Sequence, residues 1–266
     1  PRSSSAASDV YKRQIYTLRI YLVIILSLIV GCATRSNNSK FLSVNELSLD
    51  KKIYNESLID NPNGLHKLSG LNVKDSTWGI ILVHGYYPKK WNTKGFEWVT
   101  PIFMLSEATI PLWFFRYDWN ECPNNSADYL DSQIEDLILN NPGLDSLWIL
   151  GHSFGGIVSS LFSEQWDQNF PLTVHTIATP LATNRFEDSH CSFKGKKTYE
   201  INENITYTQW KTVKYQDGAF KHLEFDPQNV LIKGGKVIAL PETWKNTRLG
   251  HNKSIQWVCE KVIRSQ

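Results

Sequence analysis

The chain has 266 residues, of which 41% are hydrophobic, 12% aromatic and 20% charged, a composition that can bury a sizeable core and excludes general disorder. Its formal net charge is only +2 and its Lys and Arg residues are scattered, which excludes the basic stripe that a nucleic-acid backbone demands. One catalytic-sized domain with a single core is expected at this length.

The first fourteen residues are Ser-rich, polar and without pattern; they read as a linker remnant and are set apart from fold reasoning. Arg19 precedes an eleven-residue, largely apolar run over 20–30. That is short of the ~20 residues that span a bilayer as a helix, and it suits the apolar core of a secretory signal. The run ends in Ile29-Val30-Gly31-Cys32, which resembles the lipobox of bacterial lipoproteins. The resemblance implies cleavage before Cys32 and acylation of its thiol, several acyl chains then holding the protein on a membrane. Ala33 in the next position does not mark retention at the inner membrane, so an exported, outer-membrane lipoprotein is expected. On this reading residues 1–31 are linker remnant plus signal peptide, 32–45 a lipidated N-terminus and polar tether, and 46–266 the catalytic domain. A plain signal peptide, or a short membrane helix with an incidental Cys, is the alternative. The mature chain would keep Cys122, Cys191 and Cys259. In an oxidising compartment Cys122 and Cys191, both in expected loops, are the favoured pair, with three unpaired thiols as the alternative.

From 46 to 77 the pattern is weak, with a short edge strand at 65–73 the only suggestion. Residues 78–83, Trp-Gly-Ile-Ile-Leu-Val, form a continuous apolar run, as in a strand covered on both faces of a parallel sheet. A helix is expected over 95–107, a strand over 111–117, and a helix over 127–139 with Leu130, Ile134, Leu137 and Ile138 at helical spacing. Next come a strand at 146–150, a helix at 155–166 and a strand at 172–178. Beyond these the chain reads as a long alternating strand at 204–214, a segment at 230–240 with a Gly234-Gly235 turn, and a closing helix at 254–263. Strands alternating with helices imply an α/β fold, a mostly parallel sheet flanked by helices on both faces.

Gly151-His152-Ser153-Phe154-Gly155 has the form Gly-x-Ser-x-Gly, set between an expected strand and an expected helix. In that setting a serine sits on a sharp strand-to-helix turn, its neighbouring glycines leave room for close chain approach, and the helix start aims N–H groups and a positive dipole at an incoming substrate. Together with Ile81-Leu82-Val83-His84-Gly85, the motif resembles the lipase and esterase branch of the α/β-hydrolase superfamily, over roughly residues 78–266. The resemblance implies an α/β-hydrolase fold, Ser153 as nucleophile, and an oxyanion hole built from the N–H groups of Phe154 and Tyr86. His84 reads as a loop-holding residue rather than a base.

A serine hydroxyl needs a histidine to take its proton and an acid to orient that histidine. The family order is Ser, acid, His. Of the later histidines, His175 falls in an expected strand and His190 precedes the good acids, which leaves His251, in the loop before the last helix, with His222 as the alternative. Asp217, followed by Gly218 and Ala219, resembles the family's acid turn; Glu224 and Asp226 are rivals, Asp188 a weaker one, and Asp118 and Asp128 precede the nucleophile. Tyr86, Tyr87, Trp91, Phe96, Trp98 and Trp119 gather near the expected mouth, where they either line an acyl pocket or plug the protein's own loops. Lys89-Lys90 reads as a solvated turn. No His or Cys pair has metal-ligand spacing and no phosphate loop is present, so neither metal nor cofactor is expected.

These readings imply a serine hydrolase acting through an acyl-enzyme on a small-molecule or lipid ester. Its partner is a membrane reached through Cys32, and neither nucleic acid nor an obligate protein partner is expected. The same residues permit an amidase, thioesterase or acyltransferase, or a non-catalytic binding or scaffold lipoprotein on the same fold.

Overall fold

The computed structural model describes residues 42–264 except 75, 184–190 and 192. The expected signal and lipidation segment with Cys32 lies outside the described residues, as do Asp188 and His190. The chain opens with β1 (Leu42–Ser43) and β2 (Gly64–Ser69), followed by the all-apolar β3 (Trp78–Val83). A single 3-10 turn, Phe96–Trp98, leads into α1 (Val99–Ser106), then β4 (Leu112–Arg116), α2 (Pro123–Asn140), β5 (Ser146–His152), α3 (Phe154–Gln165) and β6 (Leu172–Ile177). The C-terminal third supplies β7 (Thr198–Glu200), β8 (Ile205–Lys211), β9 (Leu231–Lys233), β10 (Gly235–Ala239), the hairpin β11 (Thr243–Trp244) and β12 (Thr247–Arg248), and α4 (Lys253–Arg264).

Eight strands form one sheet in the order β1-β2-β4-β3-β5-β6-β8-β10, in which β2 runs antiparallel to β4 and every other neighbouring pair is parallel. The two-residue period of a strand divides β3 between two cores. Ile80 and Leu82 pack on one face with Val99, Ile102 and Leu105 of α1 and Ile255, Val258 and Val262 of α4. Ile81 and Val83 pack on the other with Leu130 and Ile134 of α2 and Ile157, Val158 and Phe162 of α3. Each of these four strand side chains is fully buried, a gain of roughly 1.5–3 kcal/mol apiece over exposure. The face α3 lies on contains almost no solvent-exposed part of that helix, since Phe154 through Ser163 are all buried.

Where the structure departs from expectation, local chemistry explains it. Helix α2 begins at Pro123 rather than near 127, because proline's fixed φ and missing N–H suit the first helical position, whereas the polar Asn124 and Asn125 carry no apolar period. The helix expected from 95 starts as a 3-10 turn after Gly95, whose φ of +85° breaks the regular entry. The long strand expected to 214 stops at Lys211 and passes into the 3-10 turn Lys214–Gln216 just ahead of Asp217. Residues 230–240 are two strands in different sheets. Gly234, at φ +78°, carries the chain from β9, paired in parallel with β7, to β10 at the edge of the main sheet beside β8. Cys122, the residue capping α2, is disulfide-bonded to Cys191, 69 positions away, while Cys259 is a free, buried thiol in α4. Loop closure of that length restrains the unfolded chain by about 4 kcal/mol.

Candidate active site

Strand β5 and helix α3 meet at Ser153, which adopts φ 53° and ψ −119°, a conformation costly for a residue with a side chain. The neighbours hold it there. Its N–H donates to Ile177 O at 2.9 Å, and its carbonyl accepts from Gly156 N at 3.0 Å. A Cβ on Gly155 would stand 2.3 Å from His84 O and 2.4 Å from Val83 O, and one on Gly151 would stand 2.5 Å from Ser159 Oγ. The two flanking glycines are thus required by the closeness of β3 and α3. Gly85 lies against the same turn, a Cβ there falling 3.3 Å from Ser153 Cβ and 3.5 Å from His152 O, which brings the loop opened by Gly85 alongside Ser153.

Asp217 sits at the end of the 3-10 turn after β8 and is fully buried. His251 occupies the loop before α4, and its Nδ1–H donates to Asp217 Oδ2 at 2.9 Å. The same oxygen accepts from Thr212 Oγ1 at 2.6 Å, and Oδ1 accepts from Ala219 N at 2.8 Å. Burial alone would raise the Asp217 pKa; the hydrogen bond and charge of His251, with the Thr212 and Ala219 donors, overcome it and hold the carboxyl below the ordinary aspartate value. Phe220 meets the His251 ring edge-on at 5.0 Å between centroids. Ser153 and His251 line one cavity of about 680 Å³, together with Tyr86, Tyr87, Trp91 and Phe225.

The rival acids and base are elsewhere. Asp226 accepts from Gln228 N at 3.0 Å and lies 3.9 Å from Lys211 Nζ, and it has no bond to His251. His222 and Glu224 are exposed and do not line the cavity. His175 packs in β6, where its Nδ1 accepts from Trp210 Nε1 at 3.1 Å and burial pushes its pKa down to about 4. His84 is fully buried and donates through Nδ1–H to Gly85 O at 2.7 Å, its pKa pushed down by burial to about 3. It is a neutral brace for the Gly85-Tyr86 loop.

The mouth aromatics divide. Tyr86, Tyr87 and Trp91 line the cavity, whereas Trp98 is fully buried, Phe96 packs against the α1–α4 core, and Trp119 lies under the Arg116 guanidinium and meets His84 edge-on. Lys89 and Lys90 are exposed on a turn. Two residues escape the sequence reading. His152 donates through Nε2–H to His251 O at 3.2 Å, its ring 4.7 Å from that of His251, and burial keeps it neutral. It ties the loop bearing His251 to the strand end bearing Ser153. Glu97 also lines the cavity, its Oε1 accepting a hydrogen bond from Tyr87 Oη. Its signal was an acid placed between two aromatics, Phe96 and Trp98. Among the described residues no group of three His, Cys, Asp or Glu side chains gathers as metal ligands would.

No protein-family model matches the chain, and no curated protein matches it. Solved structures similar to it include XC6422 of Xanthomonas campestris, an α/β serine hydrolase without a lid, at 17% identity over 77% of this chain and 90% of that one, TM-score 0.49. Another is LpqC of Bordetella parapertussis, a poly(3-hydroxybutyrate) depolymerase, at 11% identity over 76% and 83%, TM-score 0.48. A third is the Pyrococcus furiosus esterase PF2001, at 10% identity over 74% and 80%, TM-score 0.45. The fold, an α/β-hydrolase fold, is read from the sheet order and from the Ser153 turn between β5 and α3.

Proposed function

We propose that this chain is a serine hydrolase that cleaves carboxylic esters through an acyl-enzyme. The observation that carries the reading is the placement of a serine held at positive φ on a strand–helix turn in the same cavity as a histidine bonded to a buried aspartate. Ser153 Oγ attacks the ester carbonyl carbon while His251 Nε2 takes its proton. Nδ1–H of His251 remains on Asp217, which fixes the tautomer and stabilises the imidazolium. Charge developing on the carbonyl oxygen is met by the N–H groups of Tyr86 and Phe154 at the helix start; each such donor is worth about 10²–10³ in rate. The tetrahedral intermediate collapses with the alcohol leaving, protonated by His251, and water then repeats the sequence in reverse on the acyl-Ser153. The apolar walls receive the acyl chain.

Ester over amide follows from the resemblance. Hydrolysis of p-nitrophenyl butyrate against its anilide and thioester counterparts tests it: the ester should be the best substrate and Ser153→Ala should abolish its turnover. Faster anilide or thioester cleavage would redirect the reading to those classes, and ester turnover surviving in Ser153→Ala would remove Ser153 from the chemistry. We place the enzyme outside the cytoplasm as a lipoprotein anchored through Cys32. Supporting this are the apolar run ending in Gly31-Cys32 and a disulfide of the kind that persists in oxidising compartments. Cys32→Ser should abolish acyl labelling and release the protein from membranes; unchanged partition would contradict the anchor.

A further inference from the structure

Acyl transfer by Ser153, His251 and Asp217 leaves Glu97 without a task, although Glu97 lines the cavity that holds Ser153 and His251. The carboxyl is pinned by Tyr87 Oη, and the Tyr87 ring is itself fixed by stacking on His84 at 5.5 Å and by edge contact with Trp119 at 5.3 Å between centroids. No Lys or Arg is among the residues lining the cavity, and Glu97 takes part in none of the Lys or Arg ion pairs of the described residues. A half-buried carboxylate with no Lys or Arg beside it is costly to keep charged, and an arriving positive charge relieves that cost. Burial raises the Glu97 pKa against the opposing pull of the Tyr87 hydrogen bond and the His251 charge. The remaining walls suit the same visitor. Tyr86, Trp91 and Phe220 bring aromatic rings to this cavity, and ring faces attract an alkylammonium group while sheltering its methyls.

We infer that Glu97 and these aromatics form a subsite for a cationic group, so that the preferred ester carries an ammonium head and one carrying a carboxylate is refused. The inference rests on the esterase reading and names its substrate class. The test compares acetylcholine with its uncharged isostere 3,3-dimethylbutyl acetate, each followed by acid release in wild type and in Glu97→Gln. Wild type should favour the cationic ester by about tenfold or more in kcat/KM, and Glu97→Gln should bring the ratio close to one. No preference in wild type, or a preference that survives Glu97→Gln, would overturn the subsite. Equal losses on both esters would overturn it too, because Glu97 would then be acting on His251. A second arm needs no turnover. Tetramethylammonium titrated into Ser153→Ala protein and followed by NMR should perturb cavity residues, and Ser153→Ala/Glu97→Gln protein should lose the effect. If these esters and p-nitrophenyl butyrate are all left uncleaved the esterase reading fails, yet this binding arm still decides: no perturbation overturns the subsite, and perturbation that depends on Glu97 supports it.

Discussion

Replacing Asp217 with Asn removes one charge and changes little else in volume, so it isolates what the aspartate does for His251. Three donors converge on this carboxylate: His251 Nδ1–H at 2.9 Å, Thr212 Oγ1 at 2.6 Å and Ala219 N at 2.8 Å. In the variant the amide oxygen keeps Ala219, and the hydroxyl of Thr212 can turn to accept. The amide nitrogen, however, now faces Nδ1, so the imidazole must hold its proton on Nε2 and loses the lone pair that would take the Ser153 proton. The expected loss is about 10⁴ in kcat, equivalent to roughly 5 kcal/mol of transition-state stabilisation. Stopped-flow or plate assays on p-nitrophenyl butyrate measure it, with urea unfolding run alongside to show that the variant is folded. Asp226→Asn is the matched control, since Asp226 serves Gln228 and Lys211 instead. If Asp217→Asn keeps turnover within about tenfold of wild type, or if Asp226→Asn loses more, the orientation of His251 by Asp217 is wrong.

Two further predictions concern the scaffold. Gly155→Ala would push a methyl to within 2.3 Å of His84 O and 2.4 Å of Val83 O, both backbone atoms that cannot swing aside; it should lower stability by about 3 kcal/mol, read from the urea midpoint, and an unchanged midpoint would show that the turn is looser than described. Stability should also fall as the solution is acidified. His84, His152 and His175 have folded pKa values depressed by burial, to about 3 for His84 and about 4 for His175, so the unfolded chain binds protons that the native state refuses. Their contribution is full above the unfolded value near 6.5 and is lost as pH falls towards those depressed values, each histidine costing about 2 kcal/mol at pH 5. Urea midpoints measured from pH 7.5 to 5 should drop steeply, and a flat profile would contradict the neutral, buried assignments.

The sheet was legible because its inner strands are covered on both faces. Runs such as 78–83 and 147–150 have no reason to be continuously apolar except in a parallel sheet between two helical layers. The Ser153 turn was legible for a related reason: glycines at 151 and 155 are wanted only where backbones crowd as they do here. The C-terminal third was harder. β10 is an exposed edge strand whose pairing with β8 is set by tertiary placement, and β7, β11 and β12 are two or three residues long, too short to show a period. A Gly-Gly pair reads locally as a reversal, and nothing in its own sequence reveals that Gly234 hands the chain from one sheet to another. In the site, the His251–Asp217 contact joins positions 34 apart and was reachable only through the order of residues in a resembling family. Glu97 and His152 were missed because their meaning comes from what the fold places opposite them, Tyr87 in one case and the His251 carbonyl in the other.

The proposed mechanism stands or falls on Ser153 being a nucleophile activated by His251. A fluorophosphonate probe decides this, by reaction with the folded protein followed by intact-mass measurement and peptide mapping. One adduct on Ser153, absent in Ser153→Ala and strongly slowed in His251→Ala, is the predicted result; no adduct on folded protein, or an adduct on another residue at the same rate, would contradict it.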